Sequence, residues 1–330
     1  MTLAGLGRYI APLVLGISTI VPAHASNSGL EAQFDSVLGN TQAPSDLTAT
    51  YDTGLQRQIA QIADSSRGRI GVAAIDLTTG KAISVLGSQR FPLASTSKIA
   101  IAATFLEGVD EGRWGLDDKF PMMLTPTQTG QLLTGRELVE LAITRSSNEA
   151  ADGLLRVVGG PQAVTGWVRR AGIREFSLNR DIYTLVHQDG SVDPANSVDM
   201  RDSATPMAMV SLVKGLHDGR WLTASSRAVL LGAMSRCKTG PQRIPGQMPT
   251  GVMVAHKTGT LYNTSSDVGI VTGPDGHAIA LAIYVTGGGS NHQYRFEKIA
   301  TIARAVYDGY QAQPAQVWAS ASYDRATPAP

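Results

Sequence analysis

The stretch Phe91–Gly108, which reads FPLASTSKIAIAATFLEG, decides how the rest of the chain is interpreted. Its first residues, Pro92 and several small side chains, predict a loop, and the apolar spacing of Ile99–Leu106 predicts a helix after it. Ser95 and Lys98 then lie one turn apart on one face of that helix. A serine hydroxyl becomes a nucleophile beside a base, and a lysine can be that base when burial or nearby positive charge lowers its pKa. An ordinary helix start has the same spacing, so the function depends on the rest of the chain.

The composition is that of an ordinary globular protein. The chain has 330 residues, a hydrophobic fraction of 43%, a charged fraction of 17% and a net charge of +1. This near-neutral charge gives no indication of a nucleic-acid partner. The single cysteine, Cys237, excludes an internal disulfide, and we interpret it as a small buried side chain, because a catalytic thiol needs a histidine partner that sequence alone cannot place. The histidines show no HxH or HExxH spacing, so we predict no metal site and no cofactor.

Residues 1–25 have the pattern of a signal peptide. Arg8 precedes a mostly apolar run, Tyr9–Val21, and Ala23-His24-Ala25 matches the small-x-small cleavage pattern. The apolar run is short for a membrane span. We therefore predict cleavage after Ala25, export to the periplasm or the medium, and no stable membrane anchor afterwards; an uncleaved anchor is the alternative.

Strand patterns at both ends of the chain flank a helical middle. Arg69–Leu77 and Ala82–Leu86 read as a hairpin, and the last third holds apolar, β-branched strands. We predict a mixed α/β fold, in which an antiparallel sheet from both chain ends is flanked by helices, an all-helical subdomain is inserted, and the active site lies at the seam between them. The predicted organisation is a signal peptide at 1–25, an N-terminal extension at 26–50, a sheet domain at 51–94 and 251–310, a helical domain at 95–250 and a disordered tail at 311–330.

The helical middle contains two segments without clear periodicity. Residues 115–135, with two prolines and several threonines, read as irregular structure. Residues 177–204 are rich in Asp, Ser and Asn, and a loop of that length is usually functional or disordered.

Two more motifs fall where the seam is expected. Ser146-Ser147-Asn148 lies at a break between two helical patterns, where short polar side chains can point into a cleft or simply cap the next helix. Lys257-Thr258-Gly259-Thr260 ends a predicted strand, where the glycine allows close approach of a ligand and the lysine offers a positive charge to a carboxylate.

In this order and at these separations, the three motifs resemble those of class A β-lactamases, within the superfamily of serine β-lactamases and penicillin-binding proteins. The resemblance runs from about Tyr51 to Tyr310. It implies a serine hydrolase of cyclic amides that opens a β-lactam substrate through a Ser95 acyl-enzyme. We also expect the protein to be a monomer.

The resemblance also implies a role for each motif residue. Ser95 would be the nucleophile, Lys98 the base or relay in acylation, and Ser146 the proton donor to the leaving nitrogen. Asn148 would bind the amide of the substrate, and the segment Lys257-Thr258-Gly259 would bind its carboxylate through Lys257 and Thr258. The backbone N–H groups of Ser95 and Thr260 would form the oxyanion hole.

An arginine that follows KTG in many class A enzymes is missing from this chain, where the stretch reads Ser265-Ser266-Asp267. Arg243 is similar to an alternative arginine of some members, and a guanidinium suits a carboxylate. A solvated loop charge is the other interpretation of Arg243.

The segment 180–202 resembles the Ω loop of the family, with an implied ion pair between Arg180 and Asp202; we call it the Ω-like loop. Counting from Arg180, the usual general-base glutamate is replaced by Ile182, and Ser147 stands where the family usually has Asp. Our candidate for the deacylation base is Asp193, since Asp193-Pro194-Ala195-Asn196 echoes an acid-Pro-x-x-Asn pattern. The other acids of this loop that we considered are Asp181, Asp189 and Asp199.

Ile182 leaves two alternatives open. One is a penicillin-binding peptidase or β-lactam receptor that acylates but deacylates slowly, because the usual base is absent. The other is a different ester or amide hydrolase on the same scaffold.

Overall fold

The computed structural model describes residues 41–42, 53–63 and 67–324. The predicted signal peptide, most of the N-terminal extension and the last six residues lie outside the described residues.

A five-stranded antiparallel sheet forms the central layer, and both ends of the chain contribute to it. Its order is β10-β11-β12-β2-β3, which leaves β10 at one edge. Its strands are β2 (Ile70–Asp76), β3 (Ala82–Val85), β10 (Met253–Leu261), β11 (Thr264–Thr272) and β12 (Ala278–Thr286). Every residue of β2 and β12 is buried, which explains why their sequences are continuous apolar runs and do not alternate.

Short strands complete the β structure. They are β1 (Thr41–Gln42) paired with β8 (Val198–Asp199), the three-stranded group of β4 (Phe91–Pro92), β9 (Asp202–Ala204) and β7 (Phe176–Leu178), and the hairpin of β5 (Lys119–Met123) and β6 (Thr129–Thr134). The prediction of irregular structure at 115–135 was wrong at this hairpin, because its prolines and threonines hide the strand alternation and its pairing is irregular between Pro121 and Met123. The inserted block is therefore mostly, and not purely, helical.

The helices are α1 (Gly54–Ile62), α2 (Lys98–Asp110), α3 (Gly135–Thr144), α4 (Asn148–Val158), α5 (Pro161–Arg170), α6 (Ile182–His187), α7 (Pro206–His217), α8 (Ala224–Ser235) and α9 (His292–Asp324). Local sequence sets several of their ends. Thr134 and Glu137 form a capping box at the start of α3, and Gly159, with φ of 96°, ends α4. α9 continues beyond residue 311, where we predicted a disordered tail to begin.

Two apolar cores lie on opposite faces of the sheet. One is formed with α1 and α9 and includes Ile59, Ile299 and Val306. The other lies between the sheet and the helical block and includes Phe105 and Leu154. Within the described ranges, no helix combines the length and apolar character that a membrane crossing requires.

Helix α2 lies within the core between the sheet and the helical block. Ten of its thirteen residues are buried, so this helix has no polar face. The turn before α2, in which Ala94, Thr96 and Ser97 are buried, lies directly beside the edge strand β10.

Candidate active site

Ser95 lies in a 3₁₀ turn, Ala94–Ser97, immediately before α2, which begins at Lys98. The sequence predicted a loop that enters a helix here. Side chains fix the turn, since Ser97 Oγ donates to Ala94 O at 2.8 Å and Thr96 Oγ1 lies 3.1 Å from the Tyr284 hydroxyl. Ala94 has φ of 46°, a left-handed conformation that costs energy without a glycine. The buried neighbours of Ser95 hold its partly exposed side chain at the protein surface.

Lys98 connects this turn to the break between α3 and α4. Its Nζ lies 2.6 Å from Ser146 O, 2.7 Å from Asn148 Oδ1 and 3.3 Å from Ser146 Oγ. The side chain is fully buried. Burial, and next the positive charge of Lys257, hold the pKa of Lys98 well below its usual range. A neutral Lys98 amine can donate hydrogen bonds to the two oxygens nearest to it and accept a hydrogen bond from the Ser146 hydroxyl.

The three polar residues at the break between α3 and α4 make different contacts. Ser147 is the N-cap of α4, and its Oγ accepts from Ala150 N at 3.1 Å. Ser146, with φ of 59°, is held in a left-handed conformation. Lys98 binds Ser146 and Asn148, while the residue between them, Ser147, caps the helix.

The strand β10 carries the third motif into contact with the Ser95 turn. Lys257 is fully buried, and burial lowers its pKa to about 8. Thr258 Oγ1 lies 2.6 Å from Thr239 Oγ1. A Cβ atom at Gly259 would stand 3.0 Å from Ala94 Cβ and 2.4 Å from Ser266 Oγ, so only a glycine lets the strand come this close.

Arg243 is a buried residue, and the interpretation as a solvated loop charge was wrong. Its Nη1 donates to Gly259 O and Ser266 O, both at 2.8 Å, and its Nη2 donates to Thr260 Oγ1 at 2.6 Å. The guanidinium lies over the Phe296 ring at 4.4 Å from its centre. Arg243 thus joins β10 to β11 and brings positive charge to the end of the KTGT segment.

Ion pairs hold the two ends of the Ω-like loop together. Arg180 Nε lies 2.5 Å from Asp202 Oδ2, and Arg180 Nη2 lies 3.0 Å from Asp199 Oδ2. Asp202 Oδ1 also accepts the backbone N–H groups of Asn179 and Arg180. The loop is not wholly irregular, because it contains α6, whose N-cap is Asp181.

Beneath the loop lies an acid that sequence reasoning missed. Asp152 Oδ1 accepts the N–H of Ile182 at 2.7 Å, and Asp152 Oδ2 accepts that of Tyr183 at 2.8 Å. Ile182 itself is buried. Burial raises the pKa of Asp152 to about 6, and the charges of Asp152 and Glu149 act to raise that of Lys98. The signal was present in the sequence, since Asp152 lies four residues after Asn148 on one helix face.

The candidate base Asp193 lies where the loop meets the β10–β11 turn. Its Oδ1 accepts from Asn263 Nδ2 at 2.8 Å and from Ala195 N at 3.0 Å, and its Oδ2 accepts from Asn196 Nδ2 at 3.2 Å. Asp189 makes a similar contact, in which its Oδ2 accepts from Tyr262 N at 2.7 Å. Both carboxylates therefore tie the loop to the end of β10.

A comparison with models of protein families identifies the family of the chain. Residues 54–310 match the model described as the beta-lactamase enzyme family. The chain belongs to that family. The curated relatives of this β-lactamase family member include beta-lactamase CTX-M-8 of Citrobacter amalonaticus, 31% identical over 267 residues, which cover 78% of this chain and 89% of that protein. The extended-spectrum beta-lactamase PER-1 of Pseudomonas aeruginosa is 26% identical over 279 residues, which cover 79% and 88% of the two chains.

Solved structures of the family have the same fold. An ancestral class A beta-lactamase matches with a TM-score of 0.71 and 33% identity over 77% of this chain and 99% of that one. A beta-lactamase from Chitinophaga pinensis matches with a TM-score of 0.71 and 28% identity over 78% and 100%. The predicted class A resemblance, the mixed α/β fold and the assignment as an enzyme of this family are confirmed.

Proposed function

We propose that this protein hydrolyses the β-lactam ring through an acyl-enzyme on Ser95. The observation that carries the proposal is the buried amine of Lys98, which lies one turn after Ser95 and within hydrogen-bond distance of Ser146 and Asn148. Membership of the beta-lactamase family supports the same activity. The comparisons give no support to the alternative, a peptidase or receptor that deacylates slowly.

Acylation uses groups that lie at the seam. Ser95 Oγ attacks the carbonyl carbon of the ring, and its proton passes to the neutral Lys98 amine. The Ser146 hydroxyl, 3.3 Å from Lys98 Nζ, delivers a proton to the ring nitrogen as the C–N bond breaks. Backbone N–H groups of Ser95 and Thr260 stabilise the oxyanion.

Substrate binding uses β10 and the start of α4. Lys257 and Thr258 bind the substrate carboxylate, and Arg243 adds positive charge and orients the hydroxyl of Thr260, to which it donates. Asn148 keeps its amide N–H group for the amide side chain of the substrate, because its Oδ1 is already bound to Lys98.

Deacylation requires a base that activates water, and we keep Asp193 for that role. Its support is the bond to Asn196, three residues further on, which makes Asp193-Pro194-Ala195-Asn196 one residue shorter than the acid-Pro-x-x-Asn pattern, and the bond to Asn263, which fixes the carboxylate beside the end of β10. A base must come within about 3 Å of the water oxygen, directly or through one relay group.

The experiment that tests the proposal is turnover of a chromogenic cephalosporin, followed together with the intact mass of the protein. We expect turnover by the unsubstituted protein and a loss of at least about 10³-fold in Ser95→Ala. Ser225→Ala, which removes an exposed hydroxyl on α8, is the matched control. A stable penicilloyl adduct without turnover would contradict hydrolysis, and activity on simple esters without any reaction with penicillin would indicate a different hydrolase.

The base is tested separately by the decay of a penicilloyl adduct in Asp193→Asn. If Asp193 is the base, the adduct persists about 10²-fold longer than in the unsubstituted protein. Asp189→Asn is the control, because Asp189 makes a similar contact with the β10–β11 turn. Equal decay in Asp193→Asn and the unsubstituted protein would eliminate Asp193.

We also propose export with cleavage after Ala25, and function as a monomer. The sequence pattern of residues 1–25 supports the export proposal. N-terminal sequencing of the exported protein and sedimentation of the purified protein test these two proposals; an intact N-terminus in the membrane fraction would contradict the first.

A further inference from the structure

The buried side chain of Arg243 has no ion-pair partner within 4.0 Å in the part of the chain that the structure describes. Its Nη1 uses both N–H groups on the backbone oxygens of Gly259 and Ser266, each at 2.8 Å. Its Nη2 donates one N–H to Thr260 Oγ1 at 2.6 Å. Each Nη atom of a guanidinium carries two N–H groups, so the second N–H of Nη2 remains for a ligand at the end of β10, where Thr260 is exposed.

One face of this guanidinium lies against an aromatic ring. The central carbon of the group, Arg243 Cζ, is 4.4 Å from the centre of the Phe296 ring. An aromatic face attracts a cation and takes no N–H group from it. Phe296 therefore stabilises the charge of Arg243 without neutralising it, as a carboxylate in the same place would do.

The start of α9 fixes the position of the Phe296 ring. The preceding residue, Arg295, is fully buried. Its Nη1 donates to Gly287 O and Gly289 O, both at 2.8 Å, and its Nε donates to Ser265 Oγ at 3.1 Å. Ser265 belongs to β11, the strand that pairs with β10. The first turn of α9 is thus joined directly to the sheet beside the KTGT segment.

The backbone of Arg243 is fixed to the same strand. Its N–H donates to Gly240 O at 3.0 Å, and the N–H of the next residue, Ile244, donates to Asp267 Oδ2 at 3.2 Å. Asp267 is fully buried in β11. Since α9 is also joined to β11, the ring of Phe296 and the backbone of Arg243 keep a constant relation to each other.

We propose that Phe296 is a positioning residue for recognition of the substrate carboxylate. It holds the Arg243 guanidinium in the plane from which the second N–H of Nη2 reaches a carboxylate oxygen at the end of β10. This inference rests on the proposed function, in which Arg243 adds positive charge to the carboxylate site. Phe296 itself contacts neither the substrate nor the reacting atoms, so its loss changes KM more than kcat.

The test compares two forms of one substrate in Phe296→Leu, which keeps an apolar side chain and removes the ring. The forms are a chromogenic cephalosporin with a free carboxylate and its methyl ester, which lacks the negative charge. We expect KM for the free acid to rise about 3- to 30-fold with kcat within about twofold, and kcat/KM for the ester to stay within about twofold. Phe296→Tyr, which retains the ring, should recover the values of the unsubstituted protein.

Tyr294→Leu is the matched control. Tyr294 is partly exposed on the same helix, and its ring lies 5.2 Å from Arg67 Cζ and 5.8 Å from Lys298 Nζ, two cations outside the proposed site. This variant should leave KM and kcat for both substrates unchanged. Equal losses for acid and ester in Phe296→Leu would indicate a general disturbance of the cleft and would overturn the proposal.

A double variant tests whether Phe296 acts through Arg243. In an Arg243→Gln background, Phe296→Leu should cause no further rise in KM for the free acid. A rise as large as that of the single variant would overturn the link between the two residues. Normal turnover with unchanged KM in Phe296→Leu would overturn the positioning role alone. No turnover of either substrate by the unsubstituted protein would instead contradict the proposed function, and with it the role that rests on it.

Discussion

The seam around Lys98 and the Ω-like loop are adjacent, but their buried charged side chains differ in whether they form ion pairs. Lys98 and Lys257 are fully buried, and neither has an ion-pair partner within 4.0 Å among the described residues. In the loop, Arg180 pairs with both Asp199 and Asp202. Burial without an ion pair lowers the pKa of both lysines, to about 8 for Lys257, whereas the ion pairs of the loop hold two parts of the backbone together.

This difference indicates which residues serve the reaction and which stabilise the fold. A buried amine without a counter-charge becomes a base at neutral pH. A buried ion pair gains little net stability, but breaking it leaves one charge uncompensated. We therefore expect substitutions at the seam to change rates, and substitutions in the loop clamp to change stability.

The largest effect is expected for Lys98→Met. Methionine fills a similar volume without an amine, so the proton path from Ser95 is lost, and the rate of acylation should fall by about 10² to 10⁴-fold. Stopped-flow acylation by a chromogenic cephalosporin measures this rate. Lys81→Met, at an exposed lysine of the β2–β3 turn, is the control. A loss of less than tenfold would mean that the seam does not depend on this amine.

The clamp is tested by Asp202→Ala. The Asp202 side chain is 2% exposed, and its removal leaves Arg180 partly unpaired, so the free energy of unfolding should fall by about 3 kcal/mol. Urea titration measures this change. Asp308→Ala is the matched control, because the Arg304–Asp308 pair has a similar distance, 2.8 Å, but is exposed, and should lose less than about 1 kcal/mol. Equal losses of unfolding free energy in the two variants would show that the buried ion pair of the loop matters no more to stability than an exposed one.

Asp152 lies between the two regions, and its raised pKa makes the free energy of unfolding depend on pH. Its pKa is about 6 in the folded protein and about 3.9 in an unfolded chain, so the folded state binds this proton more tightly. The resulting stabilisation is complete below about pH 4 and is lost as the pH rises through about 6. Relative to Asp152→Asn, the unsubstituted protein should therefore lose about 2 kcal/mol over this range.

Urea titrations of both proteins at several pH values measure that difference. The comparison of slopes matters more than the absolute values, because asparagine offers one acceptor to two backbone N–H groups and costs a hydrogen bond at every pH. Parallel profiles between pH 4 and 6 would show that Asp152 titrates normally.

The smallest effect is expected at Ser147, the cap of α4. Ser147→Ala removes the acceptor of the Ala150 N–H and should lower the free energy of unfolding by about 1 kcal/mol. Ser147→Thr, which retains a capping hydroxyl, should recover most of this loss. If both variants behaved alike in thermal unfolding, the capping bond would not matter to the helix.

The sequence was sufficient for elements whose periodicity is strong and local. The helix at Asn148–Val158 and the strand at Ala278–Thr286 follow directly from apolar spacing. The hairpin at β5 and β6 was missed because its prolines and threonines hide the alternation of the strands and its pairing is irregular between Pro121 and Met123. The short helix α6 was missed because six residues carry too little periodicity, although Asp181 is a typical N-cap.

The site was predictable to the extent that its residues lie in linear motifs. Ser95, Lys98 and Ser146 fall in such motifs, and the structure brings the last two into contact. The acids near Lys98, Glu149 and Asp152, reach it only through the packing of α4 against α2. Contacts of this kind depend on tertiary geometry, which residue spacing does not encode.

The close contact between the backbone at Gly259 and the turn that carries Ser95 limits which residues of this cleft can be substituted. Any side chain at that position would collide with Ser266 and press on the turn that presents Ser95, so position 259 is closed to variation. The next residue, Thr260, is exposed, as is Tyr262, which is 51% exposed. Because the Thr260 hydroxyl already binds Arg243, changes in substrate preference would arise through the exposed position 262, while position 259 stays a glycine.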